Sequence, residues 1–133
     1  MKTAYQIQSD FYNLLRQSDL AKQISGKVYR EGYRPKGSQQ EDAIVIFTTG
    51  TPAQIQQGRI TINIYTPFVD FNGTLVENGK RCEELETKTQ RWVDSITGTT
   101  PYLIRLTETI HTNQDQDIHQ SFVIVKLEYK LFQ

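Results

Sequence analysis

Ile7, Phe11, Leu14 and Leu15 recur at i, i+4, i+7 and i+8 and mark one apolar face of a helix. Thr3 stands three residues before Gln6, the spacing of a capping box, so the pattern predicts a helix from about Ala4 to Leu20. Ser25-Gly26 ends that unit. Lys27 to Glu31 reads as a short strand anchored by Val28. Ala43 to Thr48 is a continuous, largely β-branched apolar run and predicts a central strand covered on both faces. From Arg59 to Phe68, Ile60, Ile62 and Ile64 alternate with Thr61, Asn63 and Tyr65, which predicts a half-buried strand. About ten polar residues separate these two strands and predict a hairpin with a long tip.

Farther on, Phe71 to Asn78 reads as a turn region around Asn72-Gly73. Cys82, Leu85, Thr89, Trp92, Val93 and Ile96 then return to helical spacing, with Gly98 as the stop. Tyr102 to Thr112 and Ile118 to Phe132 alternate as two strands joined by the loop Asn113 to Asp117. The order is α-β-β-β-α-β-β. It predicts a single α+β domain over residues 1–133, a mostly antiparallel β-sheet with two helices packed on one face. The expected core holds Phe11, Leu14, Ile46, Ile62, Trp92, Val125 and Leu127.

Composition narrows the function classes. Fifteen basic and fifteen acidic residues give zero formal charge. A generic nucleic-acid binder needs a cationic surplus to displace counterions. The best local candidate for that role is Lys27, Arg30, Arg34 and Lys36 interleaved with Tyr29 and Tyr33, and Glu31, Glu41 and Asp42 neutralise it. The longest apolar run, Ala43 to Phe47, is far short of the roughly 20 residues of a bilayer span. With no apolar run near Met1, the expectation is synthesis in a cytoplasm, without a membrane partner.

Candidate chemistry is thin. Cys82 is the one cysteine, which excludes an internal disulfide, and its place on the helical stripe suits packing. His111 and His119 flank one hairpin with Asp115 and Asp117 between them. They would sit opposite each other if the turn centred near Asp115. Two histidines with flexible aspartates make a poor metal cage. Glu83, Glu84 and Glu86 read as the outer face of a helix. Hydrolase, phosphate-loop and zinc-protease motifs are absent from the sequence. No catalytic, cofactor or metal residue is therefore assigned. An enzyme using His111 and His119, and a small-molecule pocket lined by Tyr65, Trp92 and Tyr102, remain as alternatives.

Two polar segments, Gly32 to Asp42 and Gln54 to Gly58, read as long tips on a rigid sheet. Such loops bind partners when they are not disordered. Tyr33, Arg34, Lys36, Gln54, Gln56 and Gln57 are the predicted subunit contacts.

The chain resembles the tail-terminator and tail-completion proteins of long-tailed bacteriophages. The opening helix leads into Ser25-Gly26-Lys27-Val28-Tyr29. A loop with Pro35 then precedes the strand Ala43 to Phe47. The alternating strand Gly58-Arg59-Ile60-Thr61-Ile62-Asn63-Ile64-Tyr65, the helix around Glu83 to Ile96 and a closing strand pair complete the likeness. The resemblance implies a non-enzymatic virion protein without cofactors. It implies self-association into a ring, commonly a hexamer, that caps the tail tube and meets the head-tail connector protein. The tail tube protein is then a partner, and DNA only passes through the ring. Another phage neck or baseplate adaptor is the alternative within the same class.

Overall fold

The computed structural model describes residues 1–132. Its elements, in chain order, are α1 (Ala4–Arg16), α2 (Asp19–Lys22), β1 (Val28–Arg30), β2 (Ala43–Thr51), β3 (Ile55–Pro67), β4 (Val69–Phe71), β5 (Thr74–Val76), α3 (Gly79–Ile96), β6 (Tyr102–Leu106), β7 (His111–Asp115) and β8 (Gln120–Phe132). The fold is α+β. One six-stranded sheet has the order β1-β2-β3-β8-β6, and β7 also pairs with β8. All its pairings are antiparallel except β1 with β2. β4 and β5 form a separate two-stranded sheet.

Thr3 caps α1 through the expected capping box. The helix stops at Arg16, shorter than predicted. The Ser18 hydroxyl donates to Leu15 O and accepts from Ala21 N–H, so it ends one helix and caps α2. The turn rotates Leu20 into the core, where it is buried. Apolar spacing alone did not reveal this break, because Leu15 and Leu20 both serve the same core.

β3 and β8 pair along thirteen residues each and form the spine. Ile60, Ile62 and Ile64 face the helices with Val123, Val125, Leu127 and Tyr129, all buried. Phe11 from α1 and Leu85, Trp92 and Val93 from α3 complete one contiguous core. Burial on this scale is the main favourable term, about 25 cal/mol per Å² of apolar surface.

β2 corrects a prediction. The helices cover only one side, so Ala43 and Val45 are buried while Ile44 and Ile46 are half-buried on the open face. Ile46 therefore lies outside the core, and Leu14 packs only at its margin. On the open face Tyr29, Ile44, Asn63, Ile124 and His111 form one cross-strand row. Neighbouring side chains, with no second layer, shield the apolar members.

The long tip between β2 and β3 is also corrected. The strands run on to Thr51 and from Ile55, leaving only residues 52–54 between them. Gly50 and Gly58 face each other across the ladder. A Cβ on Gly58 would lie 2.1 Å from Thr49 O and 2.6 Å from the Tyr129 hydroxyl. Glycine here makes room for the buried Tyr129.

The Asn72-Gly73 region is a true hairpin turn, with φ of 53° and 85° at the two residues. That is the left-handed geometry that a two-residue hairpin loop requires. The strand predicted for Tyr102 to Thr112 is broken, with β6 ending at Leu106 and β7 starting at His111.

Candidate functional site

The predicted contact residues fall at two distant places. Tyr33 and Lys36 are exposed on the segment between β1 and β2. Gln54 and Gln57 are exposed at the opposite end of β3. Thirteen strand residues rise about 40 Å, so the two groups do not form one surface. Two assignments change. Gln56 and Gln57 lie in β3, outside any loop, and Gln56 is buried, with its side-chain amide bridging the backbone N and O of Lys2.

Arg34 is an internal latch. Its Nε donates to Asp42 at 2.9 Å, and its Nη2 reaches Gln120 Oε1 at 2.8 Å and the carbonyls of Ser38 and Gln40. The guanidinium lies 4.1 Å from the Tyr65 ring centroid. Gln120 returns a bond to Ser38 O at 2.7 Å. The segment predicted as a long tip is thus pinned over one end of the open face. Burial alone would raise the Asp42 pKa, but donation from Ser38, Arg34 and the Lys27 N–H outweighs it and holds the carboxyl below its ordinary value.

A second ion pair joins Glu41 to Arg81 of α3 through two bonds of 2.8 and 2.9 Å. Thr66 and Ser25 also donate to Glu41, and Arg81 donates to Gln23 O. Desolvation pushes the Glu41 pKa up, and the Arg81 and Thr66 bonds pull it down to a net lowering. Both carboxylates are satisfied structural anions.

The alternatives meet geometric obstacles. Tyr65 stacks on Phe122 on the open face, whereas Trp92 and Tyr102 lie on the helix side. The sheet separates them, so they line no common pocket. Tyr102 donates to Asp10 at 2.6 Å and packs against Phe11 and Tyr129. His111 pairs with Ile124, not with His119, because the turn spans residues 116–119 and shifts the register. His119 instead sits at φ 53° with its ring edge-on to Phe68. Among the described residues, no three His, Cys, Asp or Glu side chains gather in a metal-binding group. Cys82 is buried, and desolvation and the charge of Glu77 push its thiol pKa up, opposite to the need of a nucleophile. None of the described helices is long and apolar enough to cross a membrane.

Exposed apolar surface concentrates at the two ends of β3. The β4–β5 hairpin carries Val69, Phe71, Leu75 and Val76, and Phe71 is 67% exposed. Val69 pairs with Val76 and Phe71 with Thr74, so Val69, Phe71 and Val76 share one hairpin face, while Leu75 pairs with Asp70 on the other. A two-stranded hairpin is marginal by itself in water, and an apolar face on it calls for a partner. At the far end Ile55, Leu103 and Phe132 are exposed beside a 490 Å³ recess lined by Ala53, Gln54, Ile55 and Phe132. The hairpin had no apolar periodicity long enough to stand out in the sequence. Asn72-Gly73 between Val69-Asp70-Phe71 and Thr74-Leu75-Val76 was the signal that could have found it.

No protein-family model matches the chain, and no curated protein matches it. Among the solved structures that the chain resembles, one, of a protein whose name states no function, aligns over 96% of both chains at 13% identity with a TM-score of 0.47.

Proposed function

We propose that this chain is a structural subunit of the phage tail-terminator or tail-completion type, which assembles into a ring on the tail tube and meets the head connector. The observation that carries this reading is the placement of exposed apolar surface at both ends of a rigid thirteen-residue ladder. A ring subunit needs two different docking patches on one stiff body, because each head-to-tail contact leaves another open. The sequence likeness in element order supports the same reading. So does the α+β layering, in which the helices cover one side and the other side of the sheet stays available.

The test mixes the purified chain with polymerising tail tube protein from the same genome. The expected result is ring particles by native mass spectrometry, and tubes whose growth stops when the chain is added, read by negative-stain microscopy. A strict monomer that leaves tube length unchanged and never co-purifies with tubes overturns the proposal.

A further inference from the structure

The two apolar ends of β3 differ in charge. Between Val69 and Glu77 the hairpin carries Asp70 and Glu77 and no basic residue. The far end presents Arg59, Arg105 and Lys130 on the open face around a single acid, Glu128. Arg105 holds Glu128 in a two-point pair of 2.9 and 3.2 Å, which leaves Arg59 and Lys130 as the local excess. An acidic apolar arm and a basic apolar recess on one chain are complementary to each other and not to themselves. Two arms would repel, as would two recesses. Complementary potentials of this kind select partner and orientation.

We propose that the β4–β5 hairpin of one copy docks on the Ile55 end of the sheet of the next copy, with Phe71 in the recess formed by Ala53, Gln54, Ile55 and Phe132. The partner is a second copy of this chain, joined head to tail, and the proposal rests on the ring reading above. Phe71 is the apolar anchor, of the aromatic type that dominates interface energetics. Leu103 and Phe132 flank it, and Lys130, beside Leu103 on the open face, brings positive charge to a hairpin whose net charge comes from Asp70 and Glu77. The contact is heterologous, so it repeats, and the rotation between copies sets the ring size.

The experiment mixes Phe71→Cys protein with Ile55→Cys protein under mild oxidant, with the unmodified chain as control for the buried Cys82. The mixed sample is expected to give a disulfide-linked dimer on a non-reducing gel. Each variant alone is expected to give none, and the double variant a ladder. Lys130→Glu, which alters an exposed side chain, is expected to weaken self-association at least tenfold by sedimentation with an unchanged melting temperature. No cross-link in the mixture, or cross-linking of Phe71→Cys with itself, overturns the contact. If the unmodified chain still stops tube growth while the mixture stays unlinked, the contact falls and the ring reading stands. If cross-links form but tubes grow on regardless, the contact stands and the terminator reading falls.

Discussion

Asp42 and Glu41 are adjacent in sequence and diverge in duty. Asp42 receives Arg34 and pins the β1–β2 segment, while Glu41 receives Arg81 and pins α3. Both carboxyls titrate below their ordinary values of 3.8 and 4.5. A depressed folded pKa contributes stability above the unfolded value, and that contribution disappears as pH falls through the folded value. Stability is therefore expected to be flat from pH 7 to 5 with respect to these groups. Below about pH 4.5 it declines by up to about 1.4 kcal/mol per pH unit for each group. Urea titrations between pH 7 and 3 check this. Asp42→Asn is expected to start less stable and to show a shallower acid slope, and an equal slope rules the linkage out. Arg34 was legible in the sequence as a cation in a polar loop. Its partners, four to 86 residues away, were not, because no local pattern records a contact with Gln120.

At the scale of elements, α3 shows how one side chain sets the position of a helix. Its apolar stripe faces the sheet, while Arg81 in its first turn ties it to Glu41 and Gln23 O. Removing one member of a part-buried ion pair leaves the other uncompensated, at a cost of about 3 kcal/mol. Arg81→Met is expected to lose about that much. Hydrogen exchange should rise first at the start of α3 and at residues 23–26, and uniform exchange across the fold would refute the tie. The stripe from Cys82 to Ile96 was readable because six buried positions at helical spacing leave no other geometry. The hairpin that precedes α3 was not, since three-residue strands carry too few positions for alternation to register. β2 departs from its predicted burial for a related reason. A continuous apolar run means burial on both sides only when a second layer exists, and here the second side has none.

For the whole molecule, the single contiguous core joins both long helices to the same sheet face. Small domains of this kind unfold as one cooperative unit. Trp92, the one tryptophan, is buried on α3 against that core. Its fluorescence and the far-UV circular dichroism are expected to follow one coincident transition in urea, and separated midpoints would show the layers unfolding independently. The alternation of apolar and polar residues, acting over neighbours along the chain, by itself determined the α+β class, the two long helices, the β3 and β8 faces and most of the core. Tertiary structure alone decided which face stays open, where Arg34 and Arg81 find their carboxylates, and that apolar surface gathers at both ends of β3. Those outcomes depend on pairings between distant segments, whose register and partners follow from which surfaces the packed layers leave uncovered.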